Sequence, residues 1–259
     1  MKYYYHEHLL GYERVKSEGK VSWGEIHGEN GFEDFAARKL LEIALPMLRF
    51  KTDKPKALEY GCGTGPGACF LAERGFEVDG VDLVPIAIEI AKRIALERNL
   101  AIHYEVADIC ELPLDGKAYD LILDSYCLQC IVMDDERKRL FSAVHARLNP
   151  DGYYLIGTAC MDAYHERLVR NEIVYDASTG IKYNRYGEEF LIDLRTGIVL
   201  LILQEKPAEY EQVLYISGMW CLLNRRHLKP QALRTELEAP GFVVMHQDSG
   251  DFICTKSDL

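Results

Sequence analysis

Apolar and polar residues follow an alternating pattern through the middle of the chain. Short, mostly apolar runs at residues 57–60, 77–82, 102–107, 119–123 and 153–158 predict strands. Amphipathic stretches at residues 65–74, 85–98 and 134–148 predict the helices between them. The pattern predicts an α/β fold: a doubly wound, mostly parallel, seven-stranded sheet once two C-terminal strands are added.

The rhythm changes after residue 160. Strand-like runs at residues 189–194 and 198–203 flank Arg195-Thr196-Gly197, which predicts a hairpin within a β-rich insertion that caps the pocket. A helix over residues 231–238 and strands over 242–247 and 251–255 follow, and the turn at Ser249-Gly250 predicts an antiparallel last strand. A helix is also predicted over residues 31–50 from the spacing of its apolar positions. We therefore divide the chain into three parts, which are a helical arm over the active site (1–50), a core (51–160 and 225–259) and an inserted cap (161–224).

Charge and composition limit the classes of partner. The formal net charge is −11, which opposes binding to a phosphate backbone. We interpret the compact basic cluster from Arg225 to Lys229 as a solvated helix start. No secretory signal is recognisable, and the longest strongly apolar run, residues 198–203, is too short to span a bilayer. We expect a cytoplasmic protein, monomeric or homodimeric, that binds neither nucleic acid nor membranes.

Eight cysteines are scattered along the chain, which favours a reducing compartment. Cys127 and Cys130 have C-x-x-C spacing, but no second pair accompanies them. We therefore expect no metal site.

A glycine-rich segment after the first predicted strand is the strongest chemical signal. Gly61, Gly63 and Gly65 follow Glu59, and glycine lets a backbone approach a ligand closely. Acidic residues also stand at the ends of three further predicted strands, where ligands of open α/β sheets bind; these are Asp82, Asp108 and Asp124. The G-x-G-x-x-A match that begins at Gly63 leaves a nicotinamide cofactor open.

In these segments the sequence resembles the class I S-adenosylmethionine-dependent methyltransferases. The resemblance rests on five segments in the family's order, over about residues 55–160: Glu59–Gly65, Val81-Asp82, Ala107-Asp108-Ile109, Tyr119–Asp124 and Leu148–Tyr153. It implies S-adenosylmethionine as the cofactor and suggests the following roles. The loop of Gly61, Cys62, Gly63 and Gly65 would lie under the methionine part, and Glu59 would orient the loop or bind the amino group. Asp82 would bind the ribose hydroxyls, Leu83 and Ile86 would pack on adenine, and Asp108 and Ile109 would bind its polar edge. Asp124, Ser125 and Tyr126 would line the mouth near the sulfonium.

The same resemblance implies methyl transfer to a small-molecule acceptor. Candidate acceptor residues are Tyr4, Trp23, Cys127 and Tyr164. We name no catalytic residue, because the cofactor supplies the reactivity and the protein aligns the reactants. Two alternatives stay open, a non-catalytic cofactor-binding module and a nicotinamide-dependent oxidoreductase.

Overall fold

Two β-sheets organise the chain. The computed structural model describes residues 2–28, 31–114, 116–208, 210 and 212–256. In chain order the helices and strands are α1 (Tyr3–Ser17), α2 (Trp23–Ile26), α3 (Arg38–Ala44), β1 (Lys56–Tyr60), α4 (Pro66–Ala72), β2 (Glu77–Asp82), α5 (Pro85–Glu97), β3 (Ile102–Val106), β4 (Tyr119–Ser125), α6 (Asp134–Arg147), β5 (Leu148–Gly157), α7 (Ala163–Leu168), β6 (Val169–Asp176), β7 (Ile181–Tyr186), β8 (Phe190–Asp193), β9 (Ile198–Leu203), β10 (Val213–Ile216), β11 (Met219–Arg226), α8 (Pro230–Glu238), β12 (Phe242–Asp248) and β13 (Asp251–Lys256). Short 3₁₀ helices add Leu45–Met47, Ile109–Glu111 and Leu128–Cys130.

The seven-stranded sheet has the order β12-β13-β5-β4-β1-β2-β3. Strands β1 to β5 pair in parallel, whereas β13 is antiparallel to both β5 and β12. Its central strands are apolar on both faces because helices cover both sides, and Leu58, Leu121 and Ile122 are almost completely buried. The predicted fold class, including the antiparallel last strand, is confirmed.

The predicted helix over residues 31–50 is wrong in its first half. Only α3 and the 3₁₀ turn after it are helical. The apolar positions match a helical face, but Phe32 and Phe35 pack in different places. Phe32 joins the cluster of the arm and α5, whereas Phe35 lies against Phe70 of α4. One helix face cannot serve both clusters, so the segment is irregular.

The six-stranded sheet is antiparallel throughout, with the order β10-β11-β9-β8-β7-β6. Strands β8 and β9 form the predicted hairpin. The Ser217 hydroxyl, in the turn between β10 and β11, donates to the carbonyl of Tyr175 in β6 at 2.7 Å, so one hydrogen bond links this turn to the opposite edge strand. Strand β11 continues to Arg226, and α8 begins at Pro230. The interpretation of Arg225 and Arg226 as a helix start is therefore wrong.

Candidate functional site

A cavity of about 560 Å³ lies where the strands β1, β2, β3 and β4 end, beneath the arm. Its walls include the segments that follow these strands, since the carboxyl ends of parallel strands meet at one edge. Most of the predicted site residues line it: Glu59, Gly61, Cys62, Gly63, Asp82, Leu83, Asp108, Ile109, Ser125, Tyr126, Tyr4, Trp23 and Cys127. Four do not appear in its lining, namely Gly65, Ile86, Asp124 and Tyr164.

The glycine loop is shaped by its protein neighbours. Gly61 has φ +59° and Gly63 has φ +55°, a region that disfavours residues with a Cβ. A Cβ on Gly61 would lie 2.5 Å from the Cys127 sulfur, and one on Gly63 would collide with the Tyr12 hydroxyl. Gly65, also at positive φ, is the N-cap residue of α4 and stands behind the cavity wall. The loop is thus held in one conformation by contacts from the core and from the arm.

Asp82 joins this loop to the end of β2. One carboxylate oxygen accepts the Gly63 N–H and the other accepts the Val84 N–H, both at 2.8 Å. Burial raises the pKa of Asp82 above its ordinary value, although these backbone donors oppose the shift. Each carboxylate oxygen has a second lone-pair direction, so two further donors can be accepted.

Asp108 is bonded to the beginning of the arm. Its Oδ1 accepts the Cys110 N–H at 2.9 Å, and its Oδ2 accepts the Tyr4 hydroxyl at 2.9 Å and pairs with the Lys2 ammonium. The first residues of α1 therefore close the Asp108 end of the cavity. Any ligand donor at Asp108 shares the carboxylate with Tyr4 and Lys2.

Glu59 is almost fully buried behind the loop. It accepts the Ala68 N–H at 2.6 Å and fills the space that a side chain on Gly67 would need. Burial raises the pKa of Glu59 to about 8. These contacts favour the first of its two predicted roles, orientation of the loop.

The predicted position of Asp124 at the mouth needs correction. Its side chain turns into the core and accepts the Tyr60 hydroxyl at 3.0 Å, the Cys127 N–H at 2.7 Å and the Leu128 N–H at 3.0 Å. Burial raises its pKa to about 7. Tyr126, two residues after Asp124, has φ +64° and lines the cavity where Asp124 was predicted to lie.

Ile86 and Tyr164 also lie elsewhere than predicted. Ile86 packs against the apolar cluster of the arm and α5, not in the cavity lining. Tyr164 is 61% exposed on α7 and stacks edge-on against His165. Among the described lining residues, the six-stranded sheet contributes Arg225.

The lining residues that were not predicted from the sequence include His8, Tyr12, Cys130 and Arg225. Tyr4, His8 and Tyr12 are spaced by four along α1, so they share one helix face. That spacing was a usable signal in the sequence. Trp23 of α2 stacks on both His8 and Tyr12, with ring centroids 5.2 Å apart in each pair.

Two features are absent from the residues that the structure describes. No helix there is both long and apolar enough to cross a membrane. Nor does the described part of the chain bring three or more His, Cys, Asp or Glu side chains into an arrangement that would hold a metal ion.

The strand order, the glycine loop after β1, the aspartate that ends β2 and the aspartate that follows β3 define a Rossmann-like sheet of the methyltransferase type. Residues 57–152 match a family model described as "Methyltransferase domain". The resemblance predicted from the sequence is thereby confirmed over residues 57–152.

Known proteins agree with this assignment. The chain is 32% identical over 154 residues to phosphoethanolamine N-methyltransferase 3 of Arabidopsis thaliana, covering 59% of this chain and 28% of that protein. It is 30% identical over 108 residues to a ubiquinone biosynthesis O-methyltransferase of Haemophilus ducreyi, covering 40% of this chain and 44% of that one. The chain thus spans less than half of these relatives. The fold is similar to the CcbJ methyltransferase of Streptomyces caelestis, with a TM-score of 0.59, 16% identity and coverage of 92% and 97%.

Proposed function

We propose that this chain transfers a methyl group from S-adenosylmethionine to a small-molecule acceptor. The observation that carries the proposal is the convergence of the glycine loop, Asp82 and Asp108 on one cavity, each from the end of a neighbouring strand. The match of residues 57–152 to the methyltransferase domain supports it.

The cavity suits such a cofactor in size and in chemistry. Its volume of about 560 Å³ falls within the range of about 300–1,000 Å³ that small-molecule pockets occupy. The spare lone pairs of Asp82 suit a vicinal diol. Leu83 and Ile109 offer apolar contact to an aromatic base, and Asp108 offers an acceptor for its amine. When bound, the sulfonium supplies an electrophilic methyl carbon. The protein positions the acceptor against that carbon and excludes water.

Aromatic side chains dominate the part of the cavity that the cofactor segments leave free. This part is lined by Trp23, Phe35 and Tyr126 together with Gln129. The amide oxygen of Gln129 accepts the Ala159 N–H at 2.9 Å, which fixes the side chain. Such a wall favours a small acceptor with an apolar or cationic body. The relatives' names specify nitrogen in one case and oxygen in another. Their whole activities and acceptors are not transferred to this chain.

The proposal also covers the cellular location, the binding partners and the oligomeric state. The charge of −11 favours a protein that does not bind nucleic acid. A cytoplasmic location, lack of membrane binding, and a monomeric or homodimeric state belong to the proposal.

A screen with methyl-labelled S-adenosylmethionine tests the activity. Purified chain is incubated with panels of amines, phenols and thiols, and label in the product is counted. We expect transfer to at least one class, and loss of transfer in Asp82→Asn. A folded protein that binds the donor yet labels no acceptor would favour the non-catalytic module. Thermal stabilisation by NAD or NADP, with none from the sulfonium, would favour the oxidoreductase.

A further inference from the structure

A buried cluster of charged and titratable groups lies in the cavity wall where the arm, the core and the six-stranded sheet meet. Cys130, in the 3₁₀ helix Leu128–Cys130, places its sulfur 3.7 Å from His8 Nε2 of α1. Arg225 of β11 lines the same wall and binds Glu7 of α1 through two hydrogen bonds of 2.9 Å. The proposed methyl transfer assigns no task to this cluster.

The charges around Cys130 favour its thiolate. Burial by itself raises the pKa of Cys130, but Arg225 and the His8 imidazole outweigh burial and bring the pKa below its ordinary value. Glu7 acts in the opposite direction, and the Cys127 thiol and Tyr12 hydroxyl also face this region. Although burial lowers the pKa of His8, its partner Cys130 raises it to about 9. Near neutral pH the His8 imidazole therefore carries a proton, and the lowered pKa gives Cys130 a larger thiolate fraction than an ordinary cysteine has.

Cys127 provides an internal comparison. It lines the same cavity one turn earlier and is more exposed than Cys130, of which 6% is exposed. Burial and the neighbouring Asp124 hold the pKa of Cys127 well above its ordinary value. The other six thiols all have raised pKa values because they are buried. The more exposed of the two cysteines is thus Cys127, whereas the one with the lowered pKa is Cys130.

We propose that Cys130 is a covalent modification site that reacts with small, uncharged, soft carbon electrophiles entering through the cavity. With a haloacetamide, the thiolate sulfur attacks the carbon that carries the halogen. The S–C bond forms, the carbon–halogen bond breaks, and halide leaves with the bonding electrons. His8 keeps its proton during this step. The resulting thioether fills part of the cavity and blocks it. This proposal does not depend on the methyl-transfer activity.

The test is alkylation of the folded, full chain by iodoacetamide, with labelling at each cysteine quantified by peptide mass spectrometry. At pH 7 we expect Cys130 to react at least about tenfold faster than Cys127, because thiolate fraction controls the rate. Between pH 6 and pH 9 the labelling rate of Cys127 should rise about tenfold for each pH unit. The labelling rate of Cys130 should reach its plateau at a lower pH than the rate of Cys127 does. Faster labelling of the more exposed Cys127 would overturn the proposal. So would equal labelling of both thiols, or labelling of neither.

Three variants separate activation from simple access. His8→Gln and Arg225→Met should slow labelling of Cys130 at pH 7 by about tenfold and move its rate profile to higher pH. Arg225→Lys keeps the positive charge and should retain most of the rate. A merely structural role for the cluster would change thermal stability and leave the pH profile of Cys130 in place. If a variant fails to fold, the comparison of Cys130 with Cys127 in the unmodified chain still decides.

Discussion

Strands β2 and β4 both carry an aspartate at the same edge of the sheet, yet the two carboxylates do different things. Asp82 faces the cavity and accepts two backbone N–H groups. Asp124 is fully buried and accepts two N–H groups and the Tyr60 hydroxyl. A strand-end position therefore brings an acidic residue to the site's edge, but the chain that follows decides which way it points. After Asp124 the chain folds back through Tyr126, and the cavity wall is built from Tyr126 and Cys127.

The largest expected effect separates the two aspartates by stability. Asp124→Ala should cost about 3 kcal/mol of unfolding free energy, because it leaves three buried donors without an acceptor. Asp82→Ala should cost about 1 kcal/mol, since water in the cavity can reach the two donors that it exposes. Urea unfolding of both variants measures the difference. A loss at Asp82 equal to that at Asp124 would show that the two carboxylates do not differ in this way.

The glycine loop after β1 provides a second comparison. Gly61→Ala should destabilise the protein by about 2–3 kcal/mol, because positive φ and the contact with Cys127 both oppose the new methyl group. Gly75→Ala is the matched control, since Gly75 has φ +89° and nothing within 4 Å of an added Cβ. It should cost about 1 kcal/mol from backbone strain alone. Thermal or urea unfolding measures both, and equal losses would mean that the Cys127 contact is unimportant.

The pH dependence of stability sharpens the comparison further. Burial raises the pKa of Asp124 to about 7, above an unfolded value of about 3.9. The folded state then holds this proton more tightly, so stability falls as pH rises from about 4 to about 7 and levels off above that. Between pH 6 and pH 8 the contribution is about 1 kcal/mol.

Urea unfolding of Asp124→Asn should lack this contribution. Asp135→Asn is the control, because Asp135 is exposed and its pKa is lowered by the hydrogen bond from Arg139. Its ionised form is complete well below pH 6, so the slope between pH 6 and pH 8 should not change. A slope that Asp124→Asn leaves untouched would assign the dependence to another group, with buried Glu59 the first to test.

The smallest effect concerns Tyr164. Its side chain is 61% exposed and lies outside the cavity lining, so Tyr164→Ala should change unfolding free energy by less than about 0.5 kcal/mol. Tyr4→Phe removes the hydroxyl that binds Asp108 and should cost about 1 kcal/mol. Cofactor affinity should change only in the Tyr4 variant, because the Tyr4 hydroxyl shares the Asp108 carboxylate with any ligand donor. Calorimetry showing weaker binding in Tyr164→Ala would place the insertion closer to the ligand than the structure does.

The parts predicted from sequence are those set by local pattern. Buried parallel strands and amphipathic helices such as α5 have their periodicity in the sequence, and closely spaced glycines after a strand are typical of a loop that needs positive φ. The direction of Asp124 could not be predicted, because it depends on Tyr60 and on a turn after β4. The strand position of Arg225 was missed for the same reason, since its partner Glu7 is 218 residues away. The reactivity proposed for Cys130 could not be predicted either, because it depends on His8, which only the folded arm brings beside it.

Calorimetric titration of the folded chain with S-adenosylhomocysteine, repeated with Asp82→Asn, tests the central claim most directly. We predict one site with affinity in the micromolar range, on the order of metabolite sites in general. We also predict at least a tenfold loss in the variant, because an amide would replace the carboxylate proposed to accept both ribose hydroxyls. A folded chain that takes up no ligand would contradict the account, as would equal affinity in the variant.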